Sequence, residues 1–140
     1  MARKTEVHGF NPIFGSHHQF YGAMDFFYVT TYYGGNTPGL QDFHIGLQWK
    51  PTRRLSLDSE YHCLATSVKL HDASRLLGHE FEIGLSWNLV KDVGLQAGYS
   101  FMSGTETMEL LKRSSDRNRL RWGWLMLLIT PEFFSTKTDK

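Results

Sequence analysis

From residue 41 to residue 130, apolar and polar side chains alternate in five successive segments, a period of two that an extended strand resolves into two faces. Over 41–50, Phe43, Ile45, Leu47 and Trp49 share one side, and Asp42, His44, Gly46 and Gln48 the other. Over 55–66, Leu57, Tyr61, Cys63 and Ala65 oppose Ser56, Asp58, Glu60 and His62. Over 79–89, Phe81, Ile83, Leu85, Trp87 and Leu89 oppose Glu80, Glu82, Gly84, Ser86 and Asn88. Over 93–103, Val93, Leu95, Ala97, Tyr99 and Phe101 oppose Gly94, Gln96, Gly98 and Ser100. Over 117–130, Leu120, Trp122, Trp124, Met126 and Leu128 are set against Arg119, Arg121 and Gly123. None of the five carries the three- and four-residue spacing of a helix. The pattern predicts an all-β domain of antiparallel amphipathic strands over residues 19–134. An irregular segment (1–18) precedes it and a polar tail (135–140) follows. Residues 19–33, dense in aromatics but without a period, are expected to be a strand or a packed loop, and residues 34–39 a turn.

Alternation alone also suits a soluble antiparallel sheet with one wet face. Three features favour a transmembrane barrel wall. The segments run to about ten residues or more, the length a tilted strand needs to cross the hydrocarbon layer, whereas soluble strands are commonly about half that. Short joints at 51–54 and 90–92 alternate with long ones at 67–77 and 104–116, as periplasmic turns alternate with outer loops. Finally, rings cluster at strand ends: Trp49 and Trp87 precede the short joints, and Phe43, Tyr61, Phe81, Tyr99 and Phe101 fall toward the opposite ends. With Trp122 and Trp124 these form the expected interfacial aromatics around an aliphatic band.

Composition narrows the reading further. A net charge of +1 gives no bulk drive toward nucleic acid, and the basic run at 112–121 matches no nucleic-acid motif. One cysteine, Cys63, excludes an intramolecular disulfide and a multi-cysteine zinc site. No run of about 18 apolar residues exists to make a membrane helix. The basic start Met1-Ala2-Arg3-Lys4 is followed by no apolar core, so no signal peptide is expected in the chain as written.

The stretches HHQFYGAMDFFY, GLQDFHIGLQWKPTRRLSLDSEYH, LGHEFEIGLSWNLVKDVGLQAGYSFM and WGWLMLLITPEFF, in this order over about residues 10–134, resemble the C-terminal portion of alginate-export-type outer-membrane β-barrels. The resemblance implies a large single-chain channel that passes or exports an anionic polysaccharide or a similar solute. It also implies a bacterial outer-membrane location for the parent protein, outer-membrane lipid and the remaining barrel strands as partners, and a lumen lined partly by arginines. Five or six strands fall short of the about eight in the smallest such barrels. An open edge in lipid leaves backbone groups unpaired at several kcal/mol each. The chain is therefore expected to be an incomplete wall, the C-terminal piece of a larger barrel. Phe134, followed by six further residues, departs from the aromatic terminus usual in that family.

The expected lumen lining is Asp42, His44, Asp58, Glu60, His62, Glu80, Glu82, Arg117, Arg119 and Arg121. It acts as a charged passage, or as pairs that hold the wall in register. Seven histidines invite a metal reading. However, His17 and His18 are adjacent, His44 and His62 lack a dedicated ligand spacing, and no HExxH or CxxC is present, so no metal or cofactor is expected. Glu60/His62 and His79/Glu80 place carboxylates beside histidines, but no nucleophile stands in a recognisable elbow, so no catalytic residue and no enzyme is expected. The alternative function is a soluble β-barrel or sandwich that binds a ligand.

Overall fold

The computed structural model describes residues 22–24, 26, 27, 38–70, 73–112 and 119–133. In chain order these form β1 (Leu40–Thr52), β2 (Leu55–Thr66), β3 (Leu76–Val90), β4 (Val93–Gly104), a short helix α1 (Glu106–Lys112) and β5 (Arg119–Ile129). The five strands make one open antiparallel sheet in the order β1-β2-β3-β4-β5. This is the all-β, incomplete-wall architecture that the alternation predicts.

The short joints are two-residue turns. At Arg53-Arg54, the Thr52 hydroxyl oxygen accepts the backbone N–H groups of Arg54 (3.2 Å) and Leu55 (3.1 Å). At Lys91-Asp92, Asp92 takes a left-handed φ of 63°, a conformation that a short polar side chain tolerates. A register shift precedes each turn, between Trp49 and Thr52 and between Asn88 and Val90. Such a bulge re-phases the strands so that the apolar positions fall on one side.

Pairing then joins the apolar positions into rows across the sheet. One row is Trp49–Leu57–Leu85–Ala97–Leu125, the next Leu47–Ser59–Ile83–Tyr99–Gly123, and the next Ile45–Tyr61–Phe81–Phe101–Arg121. This face is exposed: Ile45 is 72%, Leu47 71% and Leu125 71% accessible.

The buried core lies on the opposite face, at the end of the sheet away from the short turns. Phe27, Leu64, Leu70, Leu77, Met102, Met108 and Leu111 pack there. Residues 104–116 were expected to form a loop, but they contain α1. Its Thr107, Met108 and Leu111 lie on one helical face and are buried. Glu106 and Glu109 in its first turn and Lys112 in its last suit the helix dipole. Thr105 ties α1 to the sheet, with its backbone N–H donating to Leu77 O (2.9 Å) and its hydroxyl to Leu76 O (2.6 Å). The described part of 19–33 is a turn packed on the sheet (residues 22–24, 26 and 27) and not a strand. The segments 1–18 and 135–140 lie outside the described residues.

Candidate functional site

The polar face repeats the row logic of the apolar one. One row is His44–His62–Glu80–Met102–Leu120, the next Gly46–Glu60–Glu82–Ser100–Trp122, and the next Gln48–Asp58–Gly84–Gly98–Trp124. Six of the predicted polar-face residues, Asp42, His44, Glu60, His62, Glu80 and Glu82, therefore gather over β1, β2 and β3. Asp58 shares the face but stands apart, with its carboxylate folded over Gly84, where a Cβ would collide with it.

His62 is the hub of the cluster, with 5% of its side chain accessible. Its Nδ1 lies 2.8 Å from Asp42 Oδ2. An ionised carboxylate only accepts, so Nδ1 carries the proton and donates. Its Nε2 points the other way, 3.7 Å from Glu60 Oε1 and 3.7 Å from Glu82 Oε1, and has no hydrogen-bond partner. The more exposed His44 holds Nδ1 3.7 Å from Asp42 Oδ2 and Nε2 3.9 Å from Glu60 Oε1. Glu80 is fully buried. Its Oε1 accepts the Met24 N–H at 3.0 Å, while its Oε2 is unpartnered. Glu82 Oε1 accepts the Ala23 N–H. Ala23 and Met24 thus rest on two carboxylates and cover this end of the polar face. Lys112 donates to Phe26 O at 2.7 Å and lies over the Phe26 and Phe27 rings.

Two groups of residues fall on faces other than those expected. Arg119 and Arg121 were expected beside the acids, but they pair with Ser103 and Phe101, on the exposed apolar face. Trp122 and Trp124 were expected on the apolar face, but they pair with Ser100 and Gly98, on the polar face. The Trp124 indole lies where a Cβ on Gly98 would be, so this register depends on the glycine. The expectation rested on the resemblance and on the alternation of Arg119 and Arg121 with Leu120 and Trp122, whereas β5 takes its phase from hydrogen bonding to β4. Arg117 lies outside the described residues. The remaining predicted aromatics, Trp49, Tyr61, Phe81, Trp87, Tyr99 and Phe101, all lie on the apolar face. Tyr61, Phe81 and Phe101 form one row near the long connections, and Trp49 and Trp87 sit near the short turns.

Sequence reasoning placed the acids and histidines on one face but did not bring them together. The signal was the turn arithmetic. A two-residue turn with a one-residue bulge pairs His44 with His62, and without the bulge Asp42 and His62 would lie on opposite faces. A pairing that also missed notice is the Tyr61 hydroxyl with His79 Nδ1 (2.7 Å), whose rings stack at 5.9 Å at the rim of the apolar face. Comparison with family models, curated proteins and solved structures finds no match for this chain.

Proposed function

We propose that these five strands are the C-terminal part of the wall of a bacterial outer-membrane β-barrel channel, with the apolar face to lipid and the acidic face to the passage. The observation that carries the reading is the broad, largely apolar and solvent-accessible face shared by all five strands. A soluble domain rarely leaves so large a contiguous patch bare. On β4 the band runs from Val93 to Phe101, about 27 Å of strand at about 3.4 Å per residue. At a tilt of about 40° it stands about 21 Å high, near the about 25 Å apolar belt of outer-membrane barrels. His79, Ser103 and Arg119 border it on the long-connection side, where Arg119 and Arg121 can lay their stems on the band and reach the headgroups.

The open edges of β1 and β5 need partners before such a wall is stable in lipid. The partners are further strands of a longer polypeptide or other copies of the chain. The anionic polysaccharide implied by resemblance relied on arginines in the passage. With Arg119 and Arg121 on the other face, the acids that reach the surface of the described polar face are Asp42, Asp58, Glu60 and Glu82, Glu80 being buried. We therefore read the passage as one that favours cations and uncharged polar solutes.

Sedimentation of the purified chain with and without detergent tests the reading. Assembly into a defined species in micelles, with aggregation in plain buffer, supports it. A monomer that melts cooperatively without detergent overturns it in favour of the soluble ligand-binding β-barrel or sandwich.

A further inference from the structure

We infer that Glu60, His62 and Glu82 form a binding site for one divalent cation of the zinc type, bridging β2 and β3 on the polar face. The inference depends on the register and side-chain geometry of the polar face and holds whether the opposite face meets lipid or water.

His62 Nε2, Glu60 Oε1 and Glu82 Oε1 converge on one point, and Glu82 Oε1 also accepts the Ala23 N–H. In the neutral imidazole, Nδ1–H donates to Asp42 Oδ2 (2.8 Å) and Nε2 keeps a lone pair, the form a metal ion would select. That lone pair faces Glu60 Oε1 and Glu82 Oε1, each at 3.7 Å. His62 is 4% exposed, so water does not readily satisfy it, and Nε2 is a buried polar atom without a partner. Such an atom costs free energy unless something binds it. Glu60 and Glu82 are also direct cross-strand partners, a like-charge pair that destabilises a sheet. Glu80 adds a third carboxylate one row away, opposite His62. Among the described residues, only the imidazoles of His44 and His62 lie within ion-pair distance of these acids.

A cation resolves all of this together. All three ligand atoms lie within 4.8 Å of one another. Bonds of about 2.0–2.1 Å in a tetrahedral site set ligands about 3.3–3.4 Å apart, so the observed 3.7 Å spacings need only a small contraction. Glu60, 41% accessible, leaves the site open to water for the remaining position. The Asp42–His62 hydrogen bond is the outer-shell contact that orients a ligating imidazole and raises its basicity. A competing arrangement, Asp42 with His44 and His62, would use the nitrogen already committed to Asp42.

The test is calorimetric titration of the full chain, chelated and held in detergent micelles, with zinc chloride. One equivalent should bind. Glu82→Gln and His62→Gln should abolish measurable binding, and Asp42→Asn should weaken it about 10- to 100-fold. His44→Gln should leave it unchanged. X-ray absorption of the zinc-loaded wild-type chain guards against variants that misfold, and should give one imidazole nitrogen with carboxylate oxygens and no sulfur. Absence of binding, binding indifferent to Glu82→Gln, loss of binding in His44→Gln, or a first shell with two imidazoles would each overturn the proposal.

Discussion

Replacing Leu47 by arginine separates a lipid-facing wall from a sheet in water. Leu47 lies within the apolar band, in the row shared with Ile83 and Tyr99, and is 71% exposed. Full burial of a leucine is worth about 2 kcal/mol. Bringing the exposed 71% of Leu47 into lipid therefore contributes about 1.4 kcal/mol of membrane affinity. An arginine near the bilayer midplane costs about 2–4 kcal/mol on a barrel's lipid face. The sum, about 4 kcal/mol, is about a thousandfold drop in the ratio of vesicle-bound to free chain. Gln48→Arg is the internal control, one residue along the same strand, exposed, and on the polar face. Its cost should stay within about 0.5 kcal/mol, as for an ordinary surface substitution. Flotation of the chain with phospholipid vesicles, titrated in lipid, measures both ratios. If the two variants partition within about 0.5 kcal/mol of each other, the apolar face does not enter lipid and the reasoning fails.

Two further outcomes follow from packing and from charge. A Cβ at position 78 would sit 2.6 Å from Ser103 O and 3.0 Å from the Gly104 Cα, both backbone atoms of the paired strand, whereas one at position 46 would meet nothing closer than 3.6 Å. Gly78→Ala should therefore lower stability by about 1–3 kcal/mol, and Gly46→Ala should change it by less than about 0.5 kcal/mol, read by urea unfolding in micelles. Burial holds the Lys112 ammonium below the usual lysine range. A lysine depressed in the folded state binds fewer protons there than in the unfolded chain, so stability should rise with pH through the folded value and level off at the ordinary one. Lys112→Met should flatten that alkaline slope, followed as melting temperature against pH.

The phase of β1 to β4 was legible because Phe43 to Trp49, Leu57 to Cys63, Phe81 to Trp87 and Val93 to Phe101 each alternate with Gly, Ser, Gln or charged residues. In β5 the run from Trp122 to Ile129 is apolar on both faces, so periodicity could not tell which side Trp124 takes. The arginines were a misleading guide, since a rim position on an apolar face accommodates them. The fit of Trp124 over Gly98 was the physical cue, and it requires the β4–β5 register to be read. The helix α1 was hidden by its seven-residue length, although Met108 and Leu111 already stood three apart. The acid and imidazole cluster was half legible. Strand phase put its members on one face, but their approach to His62 is set by a bulge beside the Arg53-Arg54 turn that no local residue preference announces.

The odd number of strands constrains how the wall can close. In an antiparallel sheet ordered β1 to β5, the first and fifth strands run in the same direction. A ring built by rotating copies about a common axis would set β5 of one copy beside β1 of the next, in parallel. Each copy would then add one seam of the slightly weaker kind. Single-chain bacterial barrels avoid such seams by having an even number of strands, all antiparallel. To complete this wall in that manner, the rest of a polypeptide must supply an odd number of strands. At least three are needed to reach about eight, and the strand placed against β1 must run opposite to it.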